Sequence, residues 1–354
     1  MVIGTVVTFA TVGRMMGWGK GDVSHRKEVP QIRFNSEGRL RILQLSDFHY
    51  GESDEKDRNT SKLIEDLVKE VKPDLVTVTG DLVSGYAWDG KDFDFYQKHW
   101  REYSGIFEKL GVPYAIALGN HDSEANLNRK EIMDMDASNR FRLFPGDQGS
   151  DPEAGSDYIV RVGSSSDPKR AGALLWMLDT LRQGCGPVST SWGCLKPSQI
   201  EWFDQSLLDE IETAGRMLKG LAFFHIPPPE FVEAFKNFPS SGHKNETVGC
   251  PKHNNNMLSH LQIFSHTLAV FCGHDHNNDY AASFGDIDLV YGRKTGLGSY
   301  GPLGLRRDRA IELQELPNGE LSYKTWIVDE LMQITPDSPR TIQHDKFNQT
   351  RCDF

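Results

Sequence analysis

Positive charge is in short supply: 39 Lys and Arg stand against 50 Asp and Glu in 354 residues, a net charge of -11. Polymeric nucleic acid is normally held by a basic face or stripe, so an acidic chain without one disfavours that partner. What remains is a small basic patch for a single phosphate, for which Arg306, Arg307 and Arg309 are the candidates. Cysteine is also scarce. The five, Cys185, Cys194, Cys250, Cys272 and Cys352, include no CxxC pair, which removes zinc ribbons and dithiol redox motifs from consideration. Cys185 and Cys194 flank a Gly/Pro/Ser-rich stretch and either close a small disulfide loop or stay reduced, since compartment decides as much as spacing. No apolar run approaches the roughly 20 residues of a membrane-spanning helix. Residues 2–12 have the length of a signal-peptide core but no basic residue before them, so the chain reads as cytoplasmic ahead of secreted or vacuolar.

Internal repeats and clean linkers are absent too, and the expectation is one catalytic domain over residues 38–330, with an extension at 1–37 and a poorly ordered tail at 331–354. Within it, residues 39–45 read as a strand, 60–71 as an amphipathic helix carrying Leu63, Ile64, Leu67, Val68 and Val71 on one face, and 74–78 as a second strand. That is a βαβ unit with a parallel sheet. Helix 93–110, strand 114–118, strand 174–178, helix 198–213 and strand 220–224 continue the alternation. Residues 266–271, 288–291, 310–316 and 323–328 are strand-like with little helix between them, which predicts a second, more antiparallel sheet stacked on the first. His243, His253, His260 and His266 match no zinc spacing and read as solvent-exposed or helix-surface residues.

Five polar clusters each follow an apolar strand: Asp47-x-His49, Gly80-Asp81, Gly119-Asn120-His121-Asp122, His225, and Gly273-His274-Asp275-His276. Strand C-terminal ends are where open α/β sheets bind ligands. Carboxylate, amide oxygen and imidazole without thiolate suit a pair of ions such as Fe, Zn or Mn. A second carboxylate, Asp81, is what a ligand shared between two cations requires. His121 stands near such a pair without binding it, oriented by Asp122 and able to donate a proton. The segment from Tyr291 to Gly301 is either a substrate-facing loop or a simple turn.

These residues resemble the calcineurin-like metallophosphoesterases, whose pattern D-x-H, G-D, G-N-H-[DE], H and G-H-x-H is met in full and in order. Residues 185–202 and 273–279 look like the subgroup labelled purple-acid-phosphatase-like. The resemblance implies a four-layer α/β/β/α sandwich of two mixed β-sheets and hydrolysis of phosphate esters. It also implies that Asp47, His49 and His276 hold one metal, that Asn120, His225 and His274 hold the other, and that Asp81 bridges them. His121 and Asp122 are the catalytic pair. Purple members carry a Tyr ligand three residues after the bridging Asp. That position is Ser84 here, with Tyr86 two residues on, so the tyrosinate-iron colour and a fixed Fe(III) do not carry over.

Overall fold

The computed structural model describes residues 29–352 apart from 147, 148, 150, 303 and 305; the apolar segment 2–12 lies outside them. Strands β1 (Ile32–Arg33), β2 (Arg39–Leu45), β3 (Leu75–Thr79), β4 (Tyr114–Ala117), β5 (Tyr158–Gly163), β6 (Ala171–Met177), β7 (Gln183–Cys185) and β8 (Val188–Trp192) come first. They are followed by β9 (Gly220–Phe223), β10 (Ser240–Ser241), β11 (Thr267–Cys272), β12 (Ala281–Phe284), β13 (Ile287–Tyr291), β14 (Arg307–Glu315), β15 (Leu321–Asp329) and β16 (Ile334–Pro336). The helices are α1 (Asp54–Val71), α2 (Phe95–Leu110), α3 (Arg129–Asp136), α4 (Pro197–Ala214), α5 (Glu230–Asn237) and α6 (Met257–Leu261).

Two large mixed sheets result, one of eight strands ordered β1-β5-β6-β9-β11-β13-β12-β10 and one of six ordered β16-β15-β14-β2-β3-β4. Period-2 alternation builds the layers. In the larger sheet Leu175, Met177, Leu221, Phe223, Phe271 and Val290 join a core shared with β2, β3, β4 and α1. Their neighbours Leu174, Trp176, Ala222, Val270 and Leu289 face the other way, into a core with α4, α5 and α6. This is the mixed α/β sandwich the sequence implies.

The second sheet is composed differently from expectation. β11 and β13 run parallel to β9 in the larger sheet, whereas β14 returns to pair antiparallel with β2, carrying β15 with it. The tail also departs from expectation: Cys352 is bonded to Cys250 across 102 residues, and buried Lys244 holds Asp345 at 2.7 Å. His266 is buried against the Ile263 carbonyl rather than exposed. The three arginines form no open phosphate patch, since Arg306, Arg307 and Arg309 pair with Glu330, Asp279 and Asp337. Cys185 and Cys194 are joined, which closes the alternative of reduced thiols; Cys272 is a free, buried thiol.

Candidate metal centre

The parallel strands β2, β3 and β4 of one sheet and β9 and β11 of the other all end at one edge of the sandwich. The five clusters leave from those ends. To turn the donors inward, the backbone adopts left-handed φ at Asp47 (54°), His49 (53°), Asp81 (53°) and His274 (77°), a conformation non-glycine residues hold only where the surroundings impose it. Motif glycines permit the close approach. A Cβ at Gly119 would collide with the Asp81 carboxylate, and one at Gly273 with Ser46 and Asp47.

The seven donors converge. His49 Nε2 lies 3.2 Å from His276 Nε2 and 3.6 Å from Asp81 Oδ2, and His276 Nε2 lies 3.4 Å from Asp47 Oδ1. On the far side of Asp81 the same Oδ2 is 3.2 Å from His225 Nε2, which in turn is 3.0 Å from Asn120 Oδ1 and 3.3 Å from His274 Nδ1. All seven residues are buried. The remaining ring nitrogens fix orientation: His225 Nδ1 donates to the Thr79 carbonyl at 2.7 Å and His276 Nδ1 to the Tyr300 carbonyl at 2.8 Å, while His49 Nδ1 meets Ser84 Oγ at 3.0 Å. With Nδ1 donating, a neutral His225 or His276 turns a lone pair toward other acceptors. Acceptors facing acceptors in a buried site are what a cation between them relieves. Burial lowers the His225 pKa, but the neighbouring Asp81 carboxylate outweighs it and lifts the ring to about 9, which marks the negative potential at this position. His274, buried beside it, falls to about 3.

The sequence profile of calcineurin-like phosphoesterases matches residues 40–292, most of the chain. The chain belongs to this family. Among curated relatives, "Probable inactive purple acid phosphatase 14" of Arabidopsis thaliana is 30% identical over 317 residues, 80% of this chain and 77% of that protein. "Phosphatase DCR2" of Saccharomyces cerevisiae is 26% identical over 324 residues, 84% of this chain and 54% of that protein. Of solved structures, a dimetal phosphatase from Danio rerio aligns with a TM-score of 0.54 over 86% of this chain and 99% of that one. At 13% identity that likeness establishes the fold alone.

In this calcineurin-like phosphoesterase His121 and Asp122 do not form a pair. His121 Nδ1 instead meets Glu124 Oε2 at 2.6 Å, and Glu124 Oε1 is 2.8 Å from Arg182. Burial lowers the His121 pKa, but the charges of Asp81 and Glu124 outweigh it and raise it. Asp122 is fully buried and accepts from the backbone N–H of Gly119 (2.7 Å), Leu82 (2.9 Å), Asp81 (3.0 Å) and Val83 (3.1 Å). Its side chain braces the turns after β3 and β4. Glu124 was missed by sequence reading; its signal is the i, i+3 spacing from His121, which only a helical turn turns into contact, and residues 122–124 form such a turn.

The segment Tyr291–Gly301 underpins the site. Lys294 Nζ donates to the Asp47 carbonyl at 2.9 Å, and burial lowers its pKa to about 7. Tyr300 stacks on His276 at 4.1 Å, Trp192 of the Cys185–Cys194 hairpin meets His274 edge-on at 4.5 Å, and Tyr86 meets His121 at 4.7 Å. Ser84, at the purple-type tyrosine position, contacts His49 and Tyr86, whose hydroxyl donates to Glu52 at 2.5 Å.

Proposed function

We propose that the chain is a dinuclear-metal-dependent hydrolase of phosphate esters. One observation carries the reading: a single oxygen of Asp81 lies between two complete donor sets, Asp47, His49 and His276 on one side and Asn120, His225 and His274 on the other. A pair of Fe, Zn or Mn ions in those sets supplies Lewis acidity and an activated water for in-line displacement at phosphorus. The protein's own groups do the rest. His121, its Nδ1 tied to Glu124, offers Nε2 to protonate the departing oxygen. Glu124 is a positioning residue, and the rings of Tyr86, Trp192 and Tyr300 pack against His121, His274 and His276.

A polymeric nucleic-acid substrate is disfavoured by the acidic balance, although a nuclease uses the same kind of centre. The alternative is a non-catalytic protein-binding scaffold on the same fold, and an Arabidopsis relative is named "Probable inactive"; the full set of expected donors here supports the enzyme. Two disulfides support a secreted or vacuolar location over the cytoplasm, and among the described residues no helix is long and apolar enough to cross a membrane.

The test is hydrolysis of p-nitrophenyl phosphate and its bis ester with metal content measured alongside. His121→Ala should lose roughly 10²–10⁴ in kcat while keeping its metals, whereas Asp81→Ala should lose metal. No hydrolysis of either ester by the fully metallated protein would replace the enzyme with the scaffold, and equal metal loss in both variants would remove the separate role of His121.

A further inference from the structure

A second group of donors lies outside the site described, where α1 packs against α2. Asp57 of α1 and His99 of α2 are buried, and Glu102, one turn on from His99, forms the rim. Asp57 uses both oxygens to accept from the backbone N–H of Gly51 at 3.1 Å. His99 Nδ1 sits 3.7 Å from Asp57 Oδ2 and 3.5 Å from Glu102 Oε2. It is enclosed and makes no hydrogen bond.

An unpartnered nitrogen on a side chain only 4% exposed is costly to bury, and two carboxylates pointed at it repel each other. Burial, with Glu102's charge added, pushes the Asp57 pKa up to about 6, and burial lowers that of His99. At the centre of the three groups the buried His99 Nδ1 faces two carboxylate oxygens without a hydrogen bond to either. The distances say what would fit. Tetrahedral Zn–N and Zn–O bonds of about 2.0–2.2 Å place neighbouring ligand atoms about 3.3–3.6 Å apart, too long for a good hydrogen bond and close to the separations seen here. All three donor atoms lie within 4.8 Å of one another. A groove lined by Asp54, Arg58 and Lys98 reaches the two carboxylates, Asp57 and Glu102, and provides an entry path.

We propose that Asp57, His99 and Glu102 form a separate divalent-cation site of zinc type, completed by water from the groove. It ties α1 to α2 and, through Asp57, holds the Gly51 turn, which begins two residues after His49. Its position makes it a structural staple beneath one donor of the main centre, and it contacts no substrate.

The experiment is equilibrium dialysis of the full chain against Zn²⁺ at fixed free concentration, with zinc and sulfur counted by mass spectrometry. Wild type should hold one more zinc per chain than His99→Ala and one more than Glu102→Ala, and Zn²⁺ should raise the melting temperature of wild type more than that of either variant. Equal zinc content in wild type and both variants overturns the site. Should His99→Ala fail to fold, Glu102→Ala on the rim decides alone. The reading is a difference between variants outside the main centre, so it holds or fails whatever Asp81→Ala does to the zinc count.

Discussion

Asp308 of β14 shows how a buried acid reports on itself. It is fully buried, accepts from Thr295 Oγ1 at 2.5 Å through one oxygen, and leaves the other without a partner. Burial pushes its pKa up to about 8, far above the ordinary aspartate value of about 3.9. Between those limits the folded state holds a proton that the unfolded chain releases, so the group's contribution to stability is complete at low pH and is lost as pH rises through the folded value. Asp308→Asn keeps the shape and cannot ionise. Its stability relative to wild type should therefore climb from pH 5 to pH 8, by no more than about 1.4 kcal/mol per unit, as read by urea unfolding at each pH. An unchanged difference between the two would mean that Asp308 is already ionised in the folded protein.

The turns after β3 and β4 are held from within by Asp122, and the consequence is visible at the level of the two strands. Asp122→Ala strands four buried N–H groups, each costing on the order of 1–3 kcal/mol when unsatisfied, and releases the loops that carry Asp81 and Asn120. We expect a drop in melting temperature together with loss of metal, a pairing His121→Ala should not show; a stable, fully metallated Asp122→Ala would return Asp122 to a role beside substrate. Legibility in the sequence divides along similar lines. The strand ends and their donors were readable because each polar cluster directly follows an apolar run, and β2 was placed at its observed limits. Helix α1 was read too short because its first turn, capped by Ser53, is wholly polar and carries no periodicity. The partnership of His121 with Glu124 over Asp122 depends on a local turn, and the assignment of β14 to the sheet of β2 on a long-range pairing; neither leaves a mark in hydrophobic pattern.

Across the whole molecule, Cys250–Cys352 fastens the C-terminal segment to the body over a separation of 102 residues. In the chain-entropy account a loop of that length restricts the unfolded state by about 4–5 kcal/mol. Cys352→Ser should lower the free energy of urea unfolding by an amount of that order; no change would show the segment to be fastened by its polar contacts alone. The sandwich has a second whole-molecule property. Each donor set draws on both sheets: Asp47 and His49 from one meet His276 from the other, and Asn120 meets His225 and His274. The gap between sheets is filled by side chains such as Phe223 and Phe271, whose rings stack at 5.2 Å. The core therefore acts as a calliper for the site, and the tolerance with which the donors from the two sheets are spaced is set by hydrocarbon that never touches them.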